Sequence, residues 1–203
     1  MSETVEMKRA ARKATGGEVD LGELSAALGA AAAEEGLLDI AYCEVDSPVG
    51  QLLAAATPAG LVQLGYPNQS RDEMLAALAQ RISPRLLEAP ARLDPVRREL
   101  DEYFAGKRQR FDLRLDWQLT SGFRQQVLRE TAAIPFGETR TYMEMAASAG
   151  SPRAHRAAGS ALGSNPIPII VPCHRVLRSG GGLGGYGGGL DVKRELLTLE
   201  GAL

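Results

Sequence analysis

Three short apolar runs in the first half of the chain constrain its fold more than any other feature. They are residues 38–45, 51–56 and 61–65. Turn-forming segments at 47–50 and 57–60 separate them, a pattern typical of an antiparallel meander. Helical patterns follow at 70–82 and 94–104, each behind a capping signal. We therefore predict an α+β domain, which a strand or extended linker over 111–117 closes.

The hydrophobic pattern changes at about Leu119, after which the chain is predicted to be mainly helical. Helices are expected from Ser121 to Ile134, from Thr141 to about Gly150, and from Ser151 to about Leu162. In the last of these, Ser151 is the expected N-cap and Pro152 the first helical residue. Two short helices joined by a tight, glycine-containing turn are typical of a helix-turn-helix, here within a winged-helix-like domain.

The second helix of this pair has the composition of a DNA-recognition helix. Its residues are small, and Arg153 and Arg156 lie three apart on one face. An αα-hairpin packed inside the protein is the alternative. Residues 121–203 hold nine Arg/Lys and six Asp/Glu, a net charge of +3, whereas the rest of the chain has a net charge of −5. This basic half favours a nucleic-acid partner, although ordinary scatter of surface charge is the competing explanation.

The length of the chain is sufficient for two small domains. We divide it into an extension over 1–36, expected to be disordered or a loosely docked helix, an α/β domain over 37–118 and a helical domain over 119–203. Two cysteines and two histidines are too few for a disulfide framework, and they disfavour a structural zinc site. No apolar run approaches the ~20 residues of a membrane span and no signal pattern opens the chain, so we expect a cytoplasmic protein.

An apolar run in the second half ends in reactive side chains. Ile167–Val171, typical of a buried strand, leads into Pro172, Cys173, His174 and Arg175. A thiol beside an imidazole is a candidate nucleophile, because the thiolate is the reactive form and a nearby base lowers the thiol pKa. Neighbouring side chains of a strand point to opposite faces, so either Pro172 bends the chain or a water joins the two groups. The acids available to orient the imidazole are Asp191, Glu195 and Glu200.

Eight of the twelve residues from Ser179 to Leu190 are glycine. Residues 182–187 match G-x-G-x-x-G, but no βαβ unit follows them, so a dinucleotide site is rejected. A loop that closes over a flat ligand, with Tyr186 as a stacking wall, is preferred to a flexible linker. Asp191 is expected to cap the last helix, which Glu200 and Gly201 end.

Residues 165–176 resemble the active-site motif of the methylated-DNA–protein-cysteine methyltransferases, the O6-alkylguanine-DNA alkyltransferases. Further segments match that family in order and spacing: 137–142, 156–159, 185–190 and 196–201. The resemblance is strong from about Thr120 onward and weaker through the meander. It implies a ribonuclease H-like first domain, a helix-turn-helix that docks in the minor groove of double-stranded DNA, and DNA repair by direct reversal of damage.

The resemblance implies a chemical role for five residues. Cys173 would accept the alkyl group from O6 of guanine, and from O4 of thymine, as an irreversible thioether, so the protein inactivates itself. His174 and a bridging water would take the thiol proton, with Glu200 orienting the imidazole and Asn165 bracing the turn. Tyr142 would help rotate the target nucleotide out of the duplex and would protonate the leaving base.

The resemblance also implies contacts to DNA and to the flipped base. Arg156 would fill the gap in the base stack, with Arg153, Ala157, Gly159 and Tyr142 beside it at the DNA. The pocket would be lined by Pro168, Val176, Tyr186, Gly187 and Gly188. No cofactor and no metal are expected, and the protein would act as a monomer.

One position departs from the family pattern. Gly187 stands where some members carry a hydroxyl residue, so no side-chain hydrogen bond to O6 is expected there, and the range of accepted alkyl groups stays open. Three other functions are weighed against alkyl transfer: a cysteine hydrolase, a non-enzymatic lesion-binding protein and a helix-turn-helix transcription factor. The lesion-binding relatives lack the acceptor cysteine, and a transcription factor would leave residues 172–175 without a purpose.

Overall fold

A computed structural model describes residues 36–203, together with Gly29 and Ala32. Nearly all of the predicted extension over 1–36 lies outside the described residues. The remainder forms a sheet domain followed by a mainly helical domain. This arrangement confirms the α+β prediction.

The sheet contains the predicted meander and one additional strand. Its strands are β1 (Ile40–Val45), β2 (Leu52–Thr57), β3 (Gly60–Gly65) and β4 (Leu86–Glu88). The strand order is β3-β2-β1-β4, with antiparallel pairing along the meander and parallel pairing between β1 and β4. The parallel strand was not predicted, because a three-residue strand has no detectable periodicity.

The two faces of the sheet are covered by different parts of the protein. Successive side chains of a strand point to opposite faces. Ala41 and Cys43 of β1 join the large core that extends into the helical domain, whereas Ile40 packs with Leu78 in a second, smaller cluster. Cys43 is buried, and burial raises the pKa of its thiol to about 11, as befits a core residue.

Two helices complete the first domain. They are α1 (Arg71–Arg81) and α2 (Asp94–Phe104), the latter preceded by a 3-10 turn over Pro90–Leu93. Ser70 caps α1 by accepting a 3.3 Å hydrogen bond from the Glu73 N–H. The segment 111–117, predicted to be either a strand or an extended linker, is an extended linker. It contacts β3 where the Leu61 N–H donates to the Arg114 carbonyl at 2.8 Å.

The second domain is built from four helices and a two-stranded parallel pair. In chain order these are α3 (Gly122–Ala132), β5 (Arg140–Thr141), α4 (Tyr142–Ser148), α5 (His155–Gly163), β6 (Val176–Leu177) and α6 (Leu190–Leu199). Thr141 and Glu144 form a complete capping box at the start of α4. The helices α4 and α5, for which a helix-turn-helix is predicted, pack against each other.

Two helix starts differ from the prediction. The Ala154 N–H bonds to the Ser151 carbonyl at 2.8 Å, which closes a separate turn, so α5 begins at His155 and not after Ser151. The last helix has Gly189 as its N-cap, and Asp191 lies in its first turn, paired with Arg194 at 2.8 Å. Within the described residues, no helix has the length and apolarity needed to cross a membrane.

Candidate active site

The reactive cysteine lies in a series of tight turns. A buried strand is predicted over Ile167–Val171, and this prediction is wrong, because the segment forms turns. Prolines at positions 166, 168 and 172 have no N–H to donate to a strand ladder. Instead, the Val171 N–H bonds to the Ile167 carbonyl at 2.9 Å and the Cys173 N–H to the Val171 carbonyl at 2.8 Å. Cys173 then opens a 3-10 turn that ends at Arg175.

Asn165 lies at the centre of this turn and contacts the sulfur of Cys173. Its Oδ1 accepts from the Ile167 N–H at 3.0 Å, and its Nδ2 lies 2.8 Å from the Val171 carbonyl and 3.2 Å from Cys173 Sγ. Ile169 has a φ of 70°, a conformation that costs energy in a β-branched residue. The Asn165 hydrogen bonds hold this strained segment in place and orient the sulfur.

The Cys173 thiol is buried and protonated before reaction. Only 8% of the residue is exposed. Burial raises the pKa of the thiol, while the hydrogen bond from Asn165 and the charge of Lys193 act in the opposite direction. No hydrogen bond joins Cys173 directly to His174 in the part of the chain that the structure describes. If the sulfur is to act as a nucleophile, a base must first take its proton.

The imidazole of His174 is held by a buried carboxylate. His174 Nε2 lies 2.9 Å from Oε1 of Glu200, which sits at the C-cap of α6. Arg175 donates to both oxygens of the same carboxylate, at 2.7 Å from Nε and 2.8 Å from a terminal nitrogen. Tyr103 adds a 2.6 Å bond from its hydroxyl. The carboxylate is thus almost fully enclosed by donors.

These contacts set the charge states of the pair. Burial would raise the pKa of Glu200, but hydrogen bonds from His174 and Arg175 outweigh it and lower the pKa to about 2. Burial lowers the pKa of His174 despite the neighbouring carboxylate. At neutral pH, Nε2 of a neutral imidazole donates to the carboxylate, so Nδ1 is the basic atom. Nδ1 is buried and has no hydrogen-bond partner among the residues that the structure describes, and it can accept a proton directly or through water.

A pocket of about 440 Å³ opens onto Cys173, within the usual size range of small-molecule sites. It is lined by Tyr142, Gly159, Leu162, Gly163, Cys173, Gly185, Tyr186 and Gly187. Of the predicted pocket residues, Tyr186 and Gly187 are on this lining and Pro168, Val176 and Gly188 are not. Pro168 is buried, Val176 belongs to the hydrophobic core, and Gly188 contacts Tyr66 of the first domain.

The glycine-rich loop forms one side of the pocket, and its backbone packs closely against the Tyr142 side chain. Gly184 has a φ of +71°, and a Cβ there would lie 2.5 Å from the Tyr142 hydroxyl, so only glycine fits. The buried Lys193 of α6 ties the loop down by donating to the carbonyls of Leu183 and Val176. Burial lowers the pKa of Lys193 to about 8, and its ammonium lies 6.0 Å from the centre of the Tyr186 ring.

The helix α5 presents the predicted DNA-contacting residues on one side of this pocket. Arg156 and Ala157 are exposed in its first turn. Gly159 faces Tyr142, where an added Cβ would lie 3.7 Å from the ring. Arg153 is exposed but belongs to the turn before α5, so the prediction that Arg153 and Arg156 share one helical face is wrong.

Three residues of the site were assigned no role from the sequence. Tyr103 and Arg175 hold Glu200, and Lys193 holds the loop. A signal for Lys193 was available, since it lies three and four residues before Leu196 and Leu197, on the apolar side of α6. The described residues contain no group of three or more His, Cys, Asp or Glu side chains arranged to bind a metal ion.

Comparison with known families identifies the class of protein to which this fold and site belong. Residues 31–117 match the description "6-O-methylguanine DNA methyltransferase, ribonuclease-like domain", and residues 122–202 match its "DNA binding domain". The chain therefore belongs to the 6-O-methylguanine DNA methyltransferase family, as its sequence motifs predict.

Individual relatives cover most of the chain. The methylated-DNA–protein-cysteine methyltransferase of Methanosarcina barkeri is 42% identical over 160 residues, spanning 78% of this chain and 96% of the relative. The enzyme of that name from Mycolicibacterium paratuberculosis is 42% identical, spanning 79% and 92%. Among solved structures, Mycobacterium tuberculosis OGT in complex with DNA matches with a TM-score of 0.69 at 40% identity, spanning 80% of this chain and 93% of that one.

Proposed function

We propose that this protein repairs DNA by transferring an alkyl group from O6 of guanine to its own Cys173. One observation carries the proposal: Cys173 lines a pocket beside a buried, neutral imidazole whose Nδ1 lacks a partner and whose Nε2 is bonded to Glu200. Such an arrangement activates a thiol by general-base catalysis. Family membership and the names of its relatives, methylated-DNA–protein-cysteine methyltransferases, support the same reaction.

In the proposed reaction the sulfur attacks the alkyl carbon. A C–S bond forms, the C–O6 bond breaks, and its electron pair passes to the departing guanine. The thiol proton moves to His174 through a water. Burial raises the pKa of Tyr142, so its hydroxyl is protonated before the reaction and can give a proton to the departing base. The resulting phenolate takes up a proton from solvent, and His174 releases the thiol proton to solvent, so the charges balance. The product is a thioether that resists hydrolysis, so each protein molecule acts once.

The substrate is double-stranded DNA that carries O6-alkylguanine, with O4-alkylthymine as a further substrate. Because the alkyl carbon is enclosed in the duplex, the nucleotide must rotate into the pocket, at a cost of a few kcal/mol that is smallest for a poorly paired lesion. The exposed Arg156 and the small residues Ala157 and Gly159 of α5 suit docking in the minor groove and filling of the gap. We expect a monomeric protein that works in the cytoplasm.

Mass spectrometry tests the central claim. After incubation with duplex DNA that contains O6-methylguanine, Cys173 should gain one methyl group and the guanine should be restored, with at most one equivalent repaired per protein. Cys173→Ser should abolish both changes, whereas Cys43→Ser, in which the buried core cysteine is replaced, should still transfer. An unmodified Cys173 with unrepaired DNA would overturn the proposal, and repair of many equivalents without labelling would indicate a hydrolase.

A further inference from the structure

The turn after β3 in the first domain contacts the glycine-rich loop that closes the pocket. The hydroxyls of Tyr66 and Tyr186 are 2.6 Å apart, and their rings meet edge to face at 5.7 Å between centroids. A second hydrogen bond lies beside this pair: Asn68 Nδ2 donates to the Gly187 carbonyl at 2.9 Å. These contacts join residues about 120 positions apart in sequence.

The Tyr66 side of this contact is rigid. Tyr66 is only 3% exposed, and its N–H donates to Gln69 Oε1 at 2.9 Å. The Gln69 N–H returns a 3.0 Å bond to the Tyr66 carbonyl, so the turn is closed by two hydrogen bonds. Nearby, the Leu64 N–H donates to the Pro166 carbonyl at 2.8 Å, which anchors β3 to the segment that precedes the active-site turn.

The loop side has little structure of its own. A Cβ at Gly188 would lie 2.9 Å from three carbons of the Tyr66 ring, so the loop backbone rests directly on that ring. Tyr186 and Gly187 line the pocket, and the Tyr186 ring also meets the His174 ring edge to face at 6.4 Å. A glycine-rich backbone has few side chains to hold it, so its position depends on contacts such as these.

We propose that Tyr66 and Asn68 are positioning residues that hold the Tyr186–Gly187 wall and thereby set the size of alkyl group that the pocket accepts. Position 187 is glycine, so the pocket wall there consists of backbone only. The distance between this wall and Cys173 depends on the contacts by which the first domain holds the loop. This inference rests on the proposed alkyl transfer. It assigns to the first domain a part in substrate selection.

The test compares transfer rates from duplexes that carry O6-methylguanine or O6-benzylguanine at the same position. Tyr66→Phe keeps the ring under Gly188 and removes only the hydroxyl, and Asn68→Ala removes the amide. Each variant should raise the ratio of the benzyl rate to the methyl rate by about fivefold, the effect of one lost neutral hydrogen bond. Gln51→Ala, which removes an exposed amide of the same domain, should leave the ratio unchanged.

A second measurement does not depend on alkyl transfer. Hydrogen–deuterium exchange of the amides over 184–189 should accelerate in Tyr66→Phe and Asn68→Ala and stay unchanged in Gln51→Ala. If the methyl and benzyl transfer rates fell equally, so that their ratio stayed the same, the inference would be overturned, because that result indicates a general loss of stability. Unaltered exchange in the loop would overturn it as well. A wild-type protein that transfers neither group would instead defeat the proposed function.

Discussion

Tyr103 in α2 donates a 2.6 Å hydrogen bond to Glu200 at the end of α6, and this bond links the first domain to the base of the active site. Tyr103 is fully buried and packs against Phe104, Phe111 and Phe136. Phe104 and Phe111 belong to the first domain and Phe136 to the second, so the ring is held where the two domains meet. The carboxylate is positioned by both halves of the protein.

Replacing Tyr103 with phenylalanine should lower the free energy of unfolding by about 1.5–3 kcal/mol, the usual worth of a hydrogen bond to a charged group. The transfer rate should fall as well, because the carboxylate that orients His174 loses a donor. Urea unfolding and single-turnover kinetics measure the two effects. Tyr42→Phe, at a half-buried tyrosine of β1, is the control, and an equally small effect in both variants would contradict the prediction.

The low pKa of Glu200 predicts a stability change in acid. A folded-state pKa of about 2, against an ordinary value of 4.5, gives a contribution that is complete above pH 4.5 and is lost as pH falls towards 2. Its size is about 3 kcal/mol. Glu200→Gln should be less stable at neutral pH, since Arg175 loses its carboxylate, and its stability should change less between pH 4.5 and 2. Urea unfolding across this range measures the difference, and parallel curves for the two proteins would contradict the assignment.

The pH dependence of methyl transfer should report a histidine that stays neutral in acid. Burial lowers the pKa of His174 from 6.5, so the rate should hold at pH 6.5 and decline only at lower pH. Glu200→Gln should shift this decline further into acid, because the carboxylate acts to raise the pKa of His174. Rates of Cys173 methylation as a function of pH give the answer. A decline centred at or above pH 6.5 would show that the imidazole is not the buried base described here.

Arg156 should act on duplex DNA and not on the chemistry. Arg156→Ala should slow transfer from duplex DNA by about tenfold, equivalent to roughly 1.4 kcal/mol, while transfer from the free base O6-methylguanine stays the same. Arg98→Ala removes another exposed arginine, on α2 of the first domain, and serves as the matched control. Equal slowing with both substrates would mean that Arg156 supports the pocket itself.

Local sequence patterns predicted much of the secondary structure. The turn segments around 47–50 and 57–60 predicted the meander, and Thr141 as a capping residue predicted the start of α4. These signals involve residues within a few positions of each other, where backbone geometry and capping decide the outcome. The same locality explains why the motif over 165–176 could point to Cys173 as the nucleophile.

The errors arose where backbone groups found partners other than those of the expected element. Asn165 and three prolines turned the predicted strand over Ile167–Val171 into a chain of turns. The Ala154 N–H donates to the Ser151 carbonyl and closes a separate turn. The helix α5 therefore begins at His155, and Arg153 lies outside it. A hydrophobic pattern records which residues are buried, but it does not record which donor reaches which acceptor.

The amino-acid sequence by itself determined the α+β class and the family, and it pointed to Cys173 as the candidate nucleophile, because these signals lie in short contiguous segments. The tertiary structure alone decided how the site is charged and shaped. Glu200 owes its low pKa partly to Tyr103, 97 positions away, and the pocket wall at Tyr186 rests on Tyr66, 120 positions away. Such contacts depend on how the two domains pack. Burial sets the charge states of Cys173 and His174, and these side chains are buried only in the folded protein.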